Sequence, residues 1–169
     1  EALRLIGSSI RTATWNGRDL RARSDMLLGS YYGGVALANA GVGACHSLAY
    51  PLGGMFGVGH GCANALLIPY VARHNAVACV DRYAEAYGLL GGASDGWPRR
   101  EAAFALAELL EELVMDLELP GRLSELKAGI EERHFDEMAD RAMAVARPME
   151  NNPRVMDKRA CVAIYKEAY

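Results

Sequence analysis

The chain has 169 residues, of which 51% are apolar and 23% are charged, and its formal net charge is −3. This composition is typical of one globular domain with a substantial core and excludes a disordered or fibrous chain. The weak negative charge, without a basic stripe, argues against nucleic acid as a partner. The longest weakly polar run, 61–72, is too short to span a bilayer.

The first part of the chain predicts two long helices. The first covers 1–15 and begins with Glu1 and no capping residue, so we expect the chain to start inside a helix of a longer protein. Asn16-Gly17 is predicted to end this helix with a left-handed stop. The second covers 20–40, where glycines inside the helix predict close packing of another backbone. These glycines are Gly29, Gly33 and Gly34.

The remainder of the chain also predicts helices. One holds His46, one runs from His60 to about His74, and further helices follow at 81–90, 99–117 and 134–146, with a last one capped by Asp157 that extends to Tyr169. Gly91-Gly92 and Pro120-Gly121 are predicted to end two of them. No alternating strand pattern exceeds four or five residues. The sequence therefore predicts one all-α domain.

The segment GACHSLAYPLGGMFGVGHG, residues 43–61, separates two histidines by fourteen positions. In one straight helix His46 and His60 would share a face but lie about 21 Å apart, too far for one ion. Pro51 is predicted to kink or end the first helix, and the four glycines that follow allow the chain to reverse. The second helix can then bring His60 from its N-terminus to His46, where the helix dipole favours neutral imidazole.

Two other interpretations of this segment are less favoured. Cys45 and Cys62 flank the histidines and suggest a Cys2His2 zinc site, but neighbouring helical residues point about 100° apart, so Cys45 and His46 do not easily share an ion. Four buried thiols in a reducing cytoplasm fit the cysteines better. A phosphate-binding loop is disfavoured because neither glycine motif of that kind is present and no strand precedes the segment.

Residues 46–69 resemble the second signature of the iron-containing (group III) alcohol dehydrogenases. The matching letters are HSLAYPLGG at 46–54 and VGHGCANALLIP at 58–69. Weaker similarity to that family extends over 83–91, 119–130 and the Asn-Asn-Pro-Arg turn at 151–154.

The resemblance implies that residues 1–169 form the C-terminal metal-binding helical domain of such an enzyme, of the dehydroquinate synthase-like type. It makes His46 and His60 ligands of a divalent metal, iron or zinc. Two further ligands, an Asp and a His, would lie upstream of Glu1. NAD or NADP would be bound mainly by an N-terminal nucleotide-binding domain that is absent from this chain.

The resemblance also makes Tyr50 the candidate catalytic residue. It lies at i+4 from His46, on the same helix face, where many family members have a histidine beside the nicotinamide. A tyrosine hydroxyl donates a hydrogen bond but is a poor base at neutral pH. Tyr50 therefore either acts in the reaction or shapes the pocket. His74 and His134 match no motif, and we expect them at the surface or at helix ends.

The implied activity is transfer of hydride between a metal-bound alcohol or aldehyde and a nicotinamide. Alternatives within the superfamily are a maleylacetate reductase, a glycerol-type dehydrogenase or a dehydroquinate synthase-like lyase. For the chain on its own, the alternative is a non-catalytic helical association module. We expect the full-length protein to be a cytoplasmic homo-oligomer, typically a dimer, that acts on a small alcohol or aldehyde, and the isolated chain to be inactive.

Overall fold

The computed structural model describes residues 1–169 and contains helices without any strand, which confirms the all-α prediction. Three short 3-10 turns lie among nine α-helices. No helix combines the length and apolar character needed to cross a membrane. The α-helices are α1 (Ala2–Trp15), α2 (Leu20–Ala40), α3 (Ala44–Phe56), α4 (His60–Asn75), α5 (Val80–Leu89), α6 (Arg99–Asp116), α7 (Phe135–Met143), α8 (Ala146–Glu150) and α9 (Lys158–Glu167).

The core lies between α3, α4, α7 and α9. It contains 22 buried residues, and the largest fully buried side chains in it are Tyr165 and Phe135, whose rings lie 6.0 Å apart. Leu48, Leu52, Leu66 and Leu67 of α3 and α4 are fully buried there as well. Since burial of one such side chain is worth about 1.5–3 kcal/mol, this core fixes the position of α3 and α4.

Two helical hairpins pack outside this core. The α1–α2 pair and the α5–α6 pair each bring consecutive helices together, and α6 also packs on α4. Gly29 permits the first contact, because a Cβ atom there would lie 2.8 Å from Ile6 Cγ1. At Gly29 a neighbouring helix does pack closely, as predicted, but through the side chains of Leu5 and Ile6 rather than through its backbone. The prediction is wrong within this chain for Gly33 and Gly34, which face open space.

Three helices end differently from the prediction, in the terminating residues or in position. The first helix ends at Trp15 as expected, but Asn16 has φ −129° and Gly17 is not left-handed, so the predicted left-handed stop is wrong. The helix that starts at Arg99 ends at Asp116, and the left-handed residue there is Glu118 rather than a residue of the Pro-Gly pair. The helix predicted over 134–146 divides into α7 and α8.

Pro51 was predicted to kink or end its helix, and the second alternative is wrong. Helix α3 continues through Pro51 to Phe56, because proline removes only one backbone donor and the buried side chains around it keep the helix in place. The reversal comes at Gly57, in the left-handed region at φ 69° and ψ 18°. The Gly57 N–H donates to the Gly53 carbonyl at 3.0 Å, and α4 begins three residues later. The glycines, rather than the proline, therefore make the corner.

Candidate metal centre

His46 lies on the side of α3, and its position is set by the burial of that helix. Seven of the thirteen residues of α3 are buried. The Tyr165 hydroxyl of α9 donates to the Leu48 carbonyl at 2.8 Å, and the Ser47 hydroxyl donates to the Val145 carbonyl at 3.3 Å. These bonds tie both sides of α3 to the core, so the half-buried His46 ring faces away from it toward α4.

The α3–α4 corner brings the two histidines together. His60 is the first residue of α4 and is exposed, and its ring centroid lies 5.3 Å from that of His46 at an interplanar angle of 55°. Two imidazoles that share a tetrahedral ion through metal–nitrogen bonds of about 2.0–2.1 Å have centroids about 5 Å apart. The spacing of the pair therefore fits two ligands of one divalent ion.

Electrostatics at the pair also fit a ligand role. Desolvation lowers the pKa of His46, and the neighbouring His60 lowers it further. His46 therefore stays neutral at physiological pH, which is the form that binds metal. Within the chain, no third His, Cys, Asp or Glu joins the pair in a group that could hold an ion.

Tyr50 joins the same surface. Its ring lies 6.2 Å from the His60 ring at an interplanar angle of 22°, and the residue is 42% exposed. The aromatic group therefore lies beside the histidine pair on a partly exposed surface. The other two histidines lie outside the site. His74 is close to the C-terminal end of α4, and His134 is the cap of α7, where its Nδ1 accepts from the Glu131 N–H at 3.0 Å.

The thiol of Cys45 acts as a structural group beside His46. Burial raises the pKa of Cys45 to about 12, so the sulfur stays protonated rather than becoming the thiolate that binds metals. Cys45 Sγ donates to the Asn64 carbonyl at 3.6 Å and so connects α3 to α4. All four cysteines are free.

A cavity of about 410 Å³ opens beside His46. It lies between the end of α2, the turn at 41–43 and the start of α3, with Ile68 and Val71 of α4 on its wall. Its amide groups are already paired, since Asn75 and Asn152 exchange two hydrogen bonds of 2.9 and 2.8 Å. The cavity therefore presents mainly apolar surface.

Two asparagines, which the sequence analysis placed in a family-like turn but gave no role, hold the turn before α3. Asn151 Nδ2 donates to the carbonyls of Ala40 and Val42 at 3.3 and 3.4 Å. Asn152 Oδ1 accepts from the Ala44 N–H at 3.4 Å, at the first residue of α3. The signal for both was the Asn-Asn-Pro-Arg turn, but their contacts lie more than 100 residues away along the chain, and no spacing rule predicts such pairs.

These features were compared with known proteins. A model of the Fe-containing alcohol dehydrogenase family, C-terminal, matches residues 1–169. This chain belongs to that family. Among curated relatives, the chain is 39% identical over 168 residues to long-chain-alcohol dehydrogenase 1 of Geobacillus thermodenitrificans, covering 99% of the chain and 42% of the relative. It is 34% identical over 169 residues to 1,3-propanediol dehydrogenase of Klebsiella pneumoniae, covering 100% and 43%.

Solved structures give the same family and fold. An alcohol dehydrogenase from Oenococcus oeni superposes with a TM-score of 0.93 at 35% identity, and a 1,3-propanediol oxidoreductase with 0.94 at 34%. Each match covers 99% of this chain and 43% of the other. The chain thus spans less than half the length of these members of the Fe-containing alcohol dehydrogenase family, and its all-α fold matches their corresponding part.

Proposed function

We propose that this chain is the metal-binding helical domain of an alcohol dehydrogenase that uses a divalent metal and NAD or NADP. The observation that carries the proposal is that the ring centroids of His46 and His60 lie 5.3 Å apart, in a chain of the Fe-containing alcohol dehydrogenase family. The two rings would supply half of a four-ligand site. The remaining ligands and most of the nicotinamide site would come from the part of the polypeptide outside this chain.

His46 and His60 would hold iron or zinc, since imidazole suits both ions. When bound, the ion supplies Lewis acidity that lowers the pKa of an alcohol hydroxyl. The chain's own contribution is to lower the pKa of His46 by desolvation and to hold the two imidazoles at the required spacing. The buried face of α3 fixes one of them, and the Gly57 corner fixes the other. A homo-oligomer and a cytoplasmic location remain predictions.

The cavity beside His46 supports a substrate with an apolar chain. The side chains of its two asparagines hydrogen-bond to each other, so they offer few free donors or acceptors to a polyol. Ile68 and Val71 offer apolar contacts instead. The name of the Geobacillus relative refers to long-chain alcohols, which is in line with this preference. A substrate panel of 1-alkanols against glycerol and maleylacetate, with both nicotinamides, separates the proposal from the glycerol-type and maleylacetate alternatives.

Tyr50 is the proposed residue beside the reacting hydroxyl. Its ring lies 6.2 Å from that of His60 and the residue is partly exposed, so its hydroxyl could donate a hydrogen bond to substrate oxygen. Tyr50→Phe keeps the ring and removes the hydroxyl, and a loss of kcat in the full-length enzyme would support a role for the hydroxyl in the reaction. Unchanged kcat with an altered KM would assign Tyr50 to shaping the pocket.

The proposal is tested with His60→Ala in the full-length polypeptide. We expect the variant to lose both tightly held metal and dehydrogenase activity, as measured by mass spectrometry of metal content and by nicotinamide absorbance. His134→Ala is the matched control, because that histidine lies outside the pair. A His60→Ala enzyme with wild-type metal content and turnover would overturn the assignment.

One observation favours a second role for the isolated chain, namely that of an association module. Helix α2 buries only two of its 21 residues, and Leu27 and Tyr31 are 75% and 65% exposed. Exposed apolar surface of this kind promotes association. Sedimentation of the isolated chain tests this role, and nicotinamide reduction by the isolated chain would show that its activity needs no further segment.

A further inference from the structure

Asn64 lies one helical turn after His60, on the same face of α4. Its Nδ2 donates to the His60 carbonyl at 3.0 Å. The same Nδ2 lies 3.4 Å from His60 Nδ1 and 3.3 Å from His60 Nε2. An atom almost equidistant from both ring nitrogens lies against the ring rather than along one lone pair. The amide of Asn64 is therefore in contact with the imidazole but makes no directed bond to either nitrogen.

The other end of the same amide has no partner. Asn64 Oδ1 is buried and accepts no hydrogen bond. The orientation of the amide is fixed by chemistry, since the His60 carbonyl can only accept and must face the NH2 group. Buried polar atoms in folded proteins are nearly always paired, so an orphaned acceptor beside a candidate ligand requires an explanation.

The backbone of Asn64 is also tied to the first histidine. Its carbonyl accepts from the thiol of Cys45, the residue before His46, at 3.6 Å. Asn64 thus contacts His60 through its side chain and the neighbour of His46 through its backbone.

We propose that Asn64 is the positioning residue for His60, and that its Oδ1 accepts the ring N–H of His60 when the other ring nitrogen binds metal. A metal-ligating histidine nearly always donates its second N–H to an acceptor, which fixes its tautomer and its orientation. The Nδ2 end of the Asn64 amide already contacts the exposed His60 ring, and the pairing requires that ring to turn toward the Oδ1 end. This inference rests on the proposed function, because it requires His60 to be a ligand.

The test measures Zn²⁺ affinity of the full-length polypeptide by competition with a chelator. Asn64→Leu keeps the approximate size and removes the acceptor, and we expect Zn²⁺ to bind about 10–100-fold more weakly. Asn64→Asp loses the bond to the His60 carbonyl but retains an acceptor oxygen for the ring N–H, so it should bind Zn²⁺ more tightly than Asn64→Leu. Asn39→Leu is the matched control: Asn39 makes the same bond to the carbonyl four residues earlier, at 2.8 Å, without a histidine.

A second readout separates positioning from packing. In the Zn²⁺-loaded wild type, ¹⁵N NMR should show one His60 tautomer with a slowly exchanging N–H. In Asn64→Leu that N–H should exchange faster or a second tautomer should appear. Urea unfolding of each variant shows whether the fold is retained.

The outcomes distinguish this inference from the proposed function. If His60→Ala loses Zn²⁺ while Asn64→Leu keeps wild-type affinity and one tautomer, the positioning role of Asn64 is wrong and the metal site stands. If His60→Ala itself binds Zn²⁺ normally, both the positioning role of Asn64 and the proposed metal site are wrong. If Asn64→Asp is as weak as Asn64→Leu, the acceptor is not the important feature and the inference is again overturned.

Discussion

The α3–α4 corner and the α1–α2 hairpin are both pairs of consecutive helices, yet they are held in different ways. Helix α3 buries seven of thirteen residues. The Tyr165 hydroxyl of α9 donates to it, and the Val145 backbone carbonyl, just before α8, accepts from its Ser47 hydroxyl. Helix α2 buries two of 21 residues and packs mainly on α1. The two hairpins therefore differ chiefly in how many sides of each helix are covered.

This difference explains where the candidate site lies. Two ligands must keep their spacing to within a fraction of an ångström if they are to share an ion, and a helix packed on several sides provides that rigidity. The α3–α4 corner carries both histidines on such helices. The second half of α2 contributes only a wall of the cavity beside His46.

The largest expected effect compares one leucine from each hairpin. Leu48→Ala removes a fully buried side chain of α3 and should lower the free energy of unfolding by about 2–5 kcal/mol. Leu27→Ala removes a side chain of α2 that is 75% exposed and should change it by no more than about 0.5 kcal/mol. Urea unfolding followed by circular dichroism measures both, and equal effects would show that the hairpins do not differ in this way.

A smaller effect is expected from the bond between α9 and α3. Tyr165→Phe leaves the Leu48 carbonyl without the hydroxyl that bonds it at 2.8 Å, and should cost about 1–3 kcal/mol, because that acceptor is buried. Tyr31→Phe on exposed α2 is the control and should leave stability unchanged. The same urea titration tests both variants. If Tyr165→Phe leaves the free energy of unfolding unchanged, the bond does not hold α3.

At the glycine corner, two Gly→Ala substitutions are expected to change stability in opposite directions. Gly57→Ala forces a side chain into the left-handed region at φ 69° and should destabilise the chain by about 1–2 kcal/mol. Gly54→Ala lies in the helical part of α3, where a Cβ meets no atom within 4 Å, and should stabilise by about 0.5–1 kcal/mol. Thermal melts of the two variants provide the comparison, and shifts of the same sign would contradict the corner described here.

The smallest expected effect is a pH dependence at the far end of α4. Desolvation lowers the pKa of His74, Arg154 lowers it further, and Asp157 and Glu167 oppose these effects. The Nε2 atom is buried without a partner. Because the unfolded chain takes up a proton more readily, the stability contributed by neutral His74 is complete above about pH 6.5 and declines as the pH falls below it.

His74→Gln tests this pH dependence. The variant should lose part of the decline in stability between neutral and mildly acidic pH, as followed by urea unfolding at several pH values. His134→Gln, at the half-buried cap of α7, is the comparison. An unchanged pH profile in His74→Gln would assign the decline to other groups.

Much of the helical framework could be predicted from local sequence signals. Helix α2 begins and ends where the apolar pattern and the flanking turn indicated, and Asp157 caps α9 by accepting from the Ala160 N–H at 2.7 Å. Local signals were insufficient where several helix-terminating residues lie close together in the sequence. Proline inside a helix is usually the stronger helix breaker. Here α3 continues through Pro51 because its neighbours are buried, and the chain turns at Gly57 instead.

The sequence by itself determined the all-α fold class, the family resemblance, and the two histidines that a reversal of the chain could bring together. Only the tertiary structure decided how far apart the two rings lie, and that His46 is desolvated enough for its pKa to be lowered. It also decided that Asn64 contacts His60 through Nδ2 and leaves its buried Oδ1 unpaired, and that distant Asn152 holds the start of α3. The physical reason is range: capping and periodicity act within a few residues, whereas desolvation and hydrogen bonds between distant segments depend on which surfaces the whole chain brings together.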